Sequence, residues 1–347
     1  MNFHNLHIKN ITKETAHAVS VVFDIPENLK SSFAFQAGQY VTLKTKIDGE
    51  EVRRAYSICS SPNSGEVKVA VKAVENGTFS VYATEKLNVG DQLEVHEPEG
   101  NFVLEPQSGK HYIAFAAGSG ITPVLSMVKA VLEDSTDATI TLVYGNKSEA
   151  DTIFKSELET LRDSSNGRFN LHYVFSRQNV PGTLFGRIDQ GFTNYFVKNI
   201  YKDVSFDSAY LCGPEAMIKT VSETLQSNGF DESKILFELF TASEDEGDTS
   251  QIQDGETSVT VLLDDEEISF TMKQTEDVLS SALRNQVDAP YSCQGGICSS
   301  CLAKVTKGHA VMTKNTILTD GEVEDGFILT CQAHPTTSTI YIDYDDV

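Results

Sequence analysis

The chain has 347 residues, 40% hydrophobic and 22% charged, which suits two or three domains and excludes a wholly disordered or fibrous protein. Its 50 acidic and 27 basic residues leave a net charge of −23, so phosphates would be repelled and a nucleic-acid partner is not expected. No apolar run approaches the roughly 20 residues of a membrane span. The N-terminus MNFHNLHIKN lacks the basic start and apolar core of a signal peptide, so a cytoplasmic protein without a membrane partner is expected.

Residues 1–106 read as short alternating strands with turn signals between them. Strand-like runs at 18–23, 39–45 and 67–74 are separated by Asp48-Gly49, Pro62-Asn63-Ser64-Gly65 and Asn76-Gly77. An Asp-Gly pair between two such runs is a hairpin signal, and the strand spacing predicts a small closed or sandwich-like β domain. One strand carries Arg53-Arg54-Ala55-Tyr56-Ser57. A cation, an aromatic and a hydroxyl together can neutralise a phosphate, stack on a ring and hydrogen-bond it, although strands carry such residues routinely. Gly77-Thr78-Phe79-Ser80 opens a helical stretch and makes a second candidate phosphate seat.

Residues 107–240 change pattern. An apolar strand at 111–117 leads into Gly118-Ser119-Gly120 and then a helix at 123–133, with Thr122 placed as its N-cap and Pro123 as its first residue. Strand 139–144, helix 149–162, strands 170–175 and 208–211, helix 214–226 and strand 235–240 follow. This alternation predicts a parallel sheet covered by helices. Small residues at Gly118 and Gly120 let backbone approach a pyrophosphate, and the helix start offers free amides, but Pro123 stands where the third glycine of the dinucleotide fingerprint belongs. Cys212-Gly213-Pro214 again ends a strand and starts a helix; the plainer reading of Cys212 is a small buried hydrophobe. Ser176 and Arg177 close another strand, where a hydroxyl and a guanidinium can clamp the 2′-phosphate of NADPH or simply face solvent.

The stretch 241–258, TASEDEGDTSQIQDGETS, has six acids, no basic residue and one large apolar side chain, and is expected to be a linker. A third domain at 259–347 opens with strands 259–264 and 268–272 and a helix near 277–287, and ends with strand 339–343. Residues 241–347 hold 20 acids and 5 bases, a net of −15.

The densest chemical signal lies here. Cys293-Gln-Gly-Gly-Ile-Cys298-Ser-Ser-Cys301, with Cys331 thirty positions later, has the spacing of plant-type [2Fe–2S] sites. Three thiolates must converge from one tight loop, which Gly295 and Gly296 permit. A four-cysteine zinc site and four metal-free thiols are the alternatives, although zinc ribbons usually pair two C-x2-C motifs. A nicotinamide delivers two electrons as hydride and such a cluster accepts one at a time. A chain holding both needs an intermediary competent in one- and two-electron steps; flavin fits, and the β domain is the place left for it. No G-x-S-x-G, Walker or H-E-x-x-H motif competes.

Arg54-x-Tyr56-Ser57, Gly77-x-x-Ser80, Gly118-x-Gly120-x-Thr122-Pro123 and Cys212-Gly213-Pro214 together resemble the ferredoxin–NADP reductase superfamily over residues 1–240. Residues 259–347 resemble a plant-type ferredoxin. The domain order is similar to that of oxygenase reductase components, those serving phenylacetyl-CoA epoxidase among them. The resemblance implies an antiparallel β-barrel flavin domain (1–106), an α/β parallel-sheet nicotinamide domain (107–240) and an α+β β-grasp ferredoxin domain (259–347). It implies an oxidoreductase that passes electrons from NADPH, or NADH, through FAD and [2Fe–2S] to a protein acceptor, an oxygenase component. Arg54 would then bind the flavin pyrophosphate, Tyr56 pack on the isoalloxazine and Ser57 hydrogen-bond near flavin N5. Gly77, Thr78 and Ser80 would seat FAD phosphates, while Gly118, Gly120, Thr122, Ser176, Arg177, Cys212, Gly213 and Pro214 serve the nicotinamide coenzyme. Glu238 matches an acidic position near the flavin, so Ser57, Cys212 and Glu238 are the expected catalytic set and Cys293, Cys298, Cys301 and Cys331 the metal ligands. The terminal aromatic of plant-type reductases has no counterpart, because the chain continues past Phe240. Another oxygenase, a hybrid-cluster protein as acceptor, or a [2Fe–2S] redox sensor are the rival readings.

Overall fold

A computed structural model describes residues 2–240 and 250–347, which fall into two compact units, one ending at Phe240. The first unit begins with strands β1 (Phe3–Thr15), β2 (Ala18–Asp24), β3 (Tyr40–Ile47), β4 (Glu50–Ser57), β5 (Val67–Lys72) and β6 (Gln92–His96). They pair antiparallel in the order β4-β3-β6-β1-β2-β5. A bridge between Ile58 and Val69, with Cys59 N–H donating to the Lys68 carbonyl at 2.8 Å, joins the two outer strands and closes the barrel. Inward positions such as Leu6, Val21, Val41, Val69 and Leu93 fill it, as the period of two requires. Asp48 (φ 53°) and Gly49 (φ 90°) form the two-residue hairpin between β3 and β4 that the sequence calls for. Helix α1 (Thr78–Glu85) plugs Phe79 and Ala83 into the barrel. Strand β5 stops at Lys72, not at 74, because the Val74 amide is taken by Ser80 Oγ (3.2 Å) in a turn through Asn76.

The same unit continues with β7 (His111–Ala117), α2 (Ile121–Asp134), β8 (Thr139–Asn146), α3 (Lys155–Ser164), β9 (Phe169–Phe175), β10 (Leu184–Phe185), α4 (Gln190–Asn194), β11 (Ser208–Cys212), α5 (Glu215–Ser227) and β12 (Ile235–Glu238). All six strands are parallel, in the order β10-β9-β8-β7-β11-β12. The central strands are apolar on both faces, as a covered parallel sheet demands. Three expectations need correction. Thr122 does not cap α2: a 3-10 turn over Gly118–Gly120 precedes the helix, and Thr122 lies inside it with Oγ1 donating to the Ser119 carbonyl at 3.1 Å. The helix predicted at 149–162 is broken, since the chain turns at Phe154 (φ 61°) to bury Ile153 and Phe154 before α3 starts. Strand β12 ends at Glu238, two residues early. The two-residue β10, α4 and a π-helical turn at Tyr195–Ile200 lie in a Gly- and Pro-punctuated stretch that carries no periodic signal.

The C-terminal unit contains β13 (Glu256–Leu263), β14 (Glu266–Lys273), α6 (Val278–Arg284), β15 (Leu302–Lys307), β16 (Ala310–Met312), α7 (Asp320–Glu324), β17 (Phe327–Leu329), β18 (Ala333–Pro335) and β19 (Thr339–Asp343). Its mixed sheet runs β14-β13-β19-β15-β17, with β13 and β19 parallel and α6 burying Val278, Leu279 and Ala282 against it: a β-grasp. Of the stretch expected to be a linker, residues 241–249 lie outside the described residues, and Glu256 already opens β13. Among the described residues no helix is long and apolar enough to cross a membrane.

Candidate functional site: two strand ends, a carboxyl and a cysteine loop

In the parallel sheet the connections leave β7 in one direction and β11 in the other, and ligands of such sheets bind beyond the carboxyl ends of the strands at this reversal. Those ends are the Gly118–Gly120 turn and Gly213-Pro214, where Pro214 caps α5. They touch: a Cβ on Gly120 would stand 2.1 Å from the Cys212 carbonyl oxygen and 3.0 Å from the Gly213 nitrogen. Gly118 has φ 58°, a left-handed conformation that glycine tolerates, and Tyr144 donates to its carbonyl at 2.9 Å. The turn is thereby fixed from the neighbouring strand.

Cys212 and Glu238 are register partners at the ends of β11 and β12, and Ser57 Oγ, from the end of β4, donates to Glu238 Oε2 at 2.8 Å. The three expected catalytic residues therefore meet. Loss of water pushes the Glu238 carboxyl up to about 7, against the lowering effect of the Ser57 hydrogen bond. Cys212 is fully enclosed, and burial followed by the nearby Glu238 carboxylate keeps its thiol protonated. With no exposed surface it packs as a small neutral side chain behind the strand ends, not as a nucleophile.

Alternation along β4 separates its two arginines. Arg53 is buried, pairs with Glu51 at 2.8 Å and lies over the Phe3 ring. Arg54 is exposed on the opposite face with Tyr56, whose ring packs 5.5 Å from that of Phe79. Arg54 is thus the arginine free to meet a phosphate, and its present bond is to the adjacent Arg53 carbonyl. Gly77 is the N-cap of α1, and a Cβ there would lie 2.3 Å from Ser80 Oγ. The first-turn amides of α1 have no intrahelical acceptor, as at any helix start, and the buried Ser80 hydroxyl braces the turn by accepting from the Val74 amide. This cradle fits a flavin pyrophosphate.

Ser176 and Arg177 follow β9, with their amides bonded to the Asn146 and Lys147 carbonyls, and Arg177 extends into solvent. The sequence reading missed Lys72. Its amine stands 3.5 Å from the Cβ position of Gly118, and its pKa is lowered by burial and then by Lys147. A half-buried cation facing the glycine turn suits an anionic ligand; the available signal was a lysine closing an apolar strand just before the Gly77 turn.

In the C-terminal unit the four cysteines converge. Cys298 Sγ donates to Cys293 Sγ at 3.1 Å, and Cys301 and Cys331 form a second hydrogen-bonded pair. The bond from Cys298, together with the amides of Gly295, Ile297 and Cys298, lowers the Cys293 thiol to about 6 against the opposing effect of burial. The Gly296 amide points at Cys331, and Gln332 Nε2 approaches its sulfur at 3.8 Å. Gly296 (φ 69°) can bear no side chain, since a Cβ would meet the Lys314 carbonyl at 2.9 Å. Ser292 Oγ is buried without a partner one residue from Cys293. Four soft donors ringed by amides fit an iron–sulfur cluster.

The chain matches three families: Oxidoreductase FAD-binding domain over residues 5–104, Oxidoreductase NAD-binding domain over 115–223, and 2Fe-2S iron-sulfur cluster binding domain over 261–336. It belongs to the ferredoxin–NADP reductase-like oxidoreductases that carry FAD-, NAD- and [2Fe–2S]-binding domains in one chain and act as reductase components. It is 37% identical to a 1,2-phenylacetyl-CoA epoxidase subunit from Escherichia coli (strain K12), over 99% of this chain and 98% of that one. It is 32% identical to the ferredoxin reductase component of 3-ketosteroid-9-alpha-monooxygenase from Rhodococcus rhodochrous, over 98% and 96%. The solved structure of phthalate dioxygenase reductase shares the fold, with a TM-score of 0.63 and 24% identity over 99% of this chain and 98% of that one.

Proposed function

We propose that this reductase draws on NADPH and delivers electrons to an oxygenase of the phenylacetyl-CoA epoxidase type. The acceptor reading is carried by the end-to-end 37% identity to a subunit of that epoxidase; the 32% identity to a steroid monooxygenase reductase makes another oxygenase the second reading. When bound, the flavin supplies hydride acceptance and single-electron release to the cluster. The chain's part is placement. Arg54 and the α1 amides hold the flavin phosphates, Tyr56 covers the ring, and Ser57, fixed by Glu238, hydrogen-bonds the ring edge. The Gly118–Gly120 turn and Gly213 seat the coenzyme against that edge, with Thr122 and Pro214 shaping the two helix starts and Cys212 packed behind the strand ends. Cys293, Cys298, Cys301 and Cys331 hold the cluster. Reconstitution with the oxygenase subunits of a phenylacetyl-CoA epoxidase should give substrate-dependent NADPH consumption. Coupling to a different oxygenase, with none to the epoxidase, would reject the acceptor.

The coenzyme assignment rests on Ser176 and Arg177 at the end of β9. A charge-assisted bond contributes about 1.5–3 kcal/mol, so Arg177→Ala should weaken NADPH about tenfold or more and spare NADH. Lys72→Ala should instead weaken both coenzymes alike, because the pyrophosphate beside Gly118 is common to them. Titrations that show equal losses in Arg177→Ala remove it as a reader of the 2′-phosphate.

Glu238 makes flavin reduction pH-dependent. Its pKa is raised, so the fold favours the neutral carboxyl; the stability this contributes is full below the ordinary value of 4.5 and is lost as pH rises through about 7. With flavin bound, a carboxylate beside Ser57 would oppose negative charge arriving at the ring edge, and a neutral carboxyl would not. The limiting rate of flavin reduction should fall about threefold to tenfold between pH 6 and 8, and Glu238→Gln should flatten the profile. A wild-type rate that is constant over this range removes Glu238 from the site.

A further inference from the structure

The boundary between the barrel and the nicotinamide domain carries a chain of charges that the hydride site does not use. Glu14 on β1, held by Ser20 Oγ at 2.6 Å, faces Lys68 of β5 at 3.8 Å. Lys68 reaches over to Glu157 of α3 at 3.6 Å, and Glu157 takes Lys129 of α2 at 2.7 Å. The Lys129 amine also donates to the Cys59 carbonyl at 2.9 Å, which returns the chain to the barrel two residues beyond Ser57. The domain boundary is thus crossed twice. Lys68 and Lys129 are only 19% and 12% exposed, so solvent screens these pairs far less than it screens surface ones.

Phe154 adds an independent observation. Its ring lies 4.8 Å beneath the Lys68 amine, and its backbone, at φ 61° and ψ 21°, is left-handed, which a bulky residue rarely adopts. Outliers of this kind persist where their surroundings over-determine them. Here those surroundings are the buried Phe154 side chain below and the ionic chain above, at the start of the helix that carries Glu157.

We propose that the Glu14–Lys68–Glu157–Lys129 chain is a latch that fixes the angle between barrel and nicotinamide domain, and so positions the coenzyme ring against the flavin. None of the four is assigned to a cofactor, and their role is positioning. Misplacement of reacting groups by about 1 Å costs on the order of 100-fold in rate, so a small hinge motion at this boundary is enough to register. The inference rests on hydride passing at Ser57, Cys212 and Glu238.

The test is stopped-flow flavin reduction in the full-length, FAD-loaded chain. Glu157→Gln keeps the shape, leaves Lys68 with Glu14 alone and takes from Lys129 the carboxylate it pairs with. The limiting reduction rate should fall about tenfold while coenzyme dissociation constants change less than about twofold. The long-wavelength charge-transfer absorption of the coenzyme–flavin complex should weaken. Lys68→Met should act alike, and the double variant should be no slower than either single one. Lys155→Met, which breaks the Glu149 and Glu159 pairs inside one domain, is the control for general weakening and should leave the limiting rate unchanged. A folded Glu157→Gln chain with the wild-type rate and absorption band, a loss confined to coenzyme affinity, or an equal loss in Lys155→Met overturns the latch. A wild-type chain that accepts hydride from neither coenzyme overturns the functional reading, and the latch with it.

Discussion

Changing Cys298 to serine should abolish the cluster and cut electron delivery to a protein acceptor by about 100-fold or more, while flavin reduction by nicotinamide stays within about twofold of wild type. Loss of a group that merely supports a metal ligand typically costs 10–100-fold, and Cys298 is proposed as a ligand itself. A serine oxygen is a hard donor in a set whose other members are soft sulfurs, and its shorter bond to Cβ holds it back from the place of the Cys298 sulfur. The flavin and coenzyme residues belong to a different unit with its own core, so the first half of the electron path should not feel the change. Iron analysis, visible absorption and rapid-reaction traces read the two halves separately. Wild-type protein loaded with zinc, or a serine variant that retains full iron and full transfer, would overturn the ligand assignment.

What could be read from the sequence is what depends on local geometry. The cysteine spacing, the Asp48-Gly49 hairpin, and the glycine turns at Gly118 and Gly77 each describe how a few consecutive residues must bend, so the residue types announce them. Ser57 and Glu238 are separated by 181 positions, and no local pattern could announce their hydrogen bond; family resemblance placed each near the flavin without pairing them. Thr122 passes for a cap because a 3-10 turn and a helix start have the same small-residue signature, and only the hydrogen bond to Ser119 distinguishes them. Phe154 passes for a helical residue because its burial, which breaks the helix, is a property of the assembled core. The Glu14–Lys68–Glu157–Lys129 chain is invisible for the same reason. Each side chain is ordinary on its own strand or helix and acquires its role only when the barrel meets the parallel sheet.

Gly120→Ala should nearly silence the coenzyme site without emptying the flavin site. The added methyl would lie 2.1 Å from the Cys212 carbonyl oxygen, 2.5 Å from its carbon and 3.0 Å from the Gly213 nitrogen. These are backbone atoms of a strand paired in register to β7 from Ser208 to Cys212, so they cannot swing aside as a side chain would. The Gly118–Gly120 turn must move away instead, carrying with it the start of α2, and Tyr144 must follow or lose its bond to the Gly118 carbonyl. Overpacking of this kind costs about 1–3 kcal/mol in stability, which a domain of this size can absorb. The reaction tolerates far less, and flavin reduction by NADPH and NADH should both fall about 100-fold. FAD content should hold, because Arg54, Tyr56 and the α1 amides sit on the barrel, away from the inserted methyl. Gly321→Ala is the matched control: a Cβ there meets nothing within 4 Å, so reduction should be unchanged. If Gly120→Ala folds, binds FAD and is reduced at the wild-type rate, then the strand ends of β7 and β11 do not seat the nicotinamide, and the coenzyme must approach the flavin from another side of the barrel.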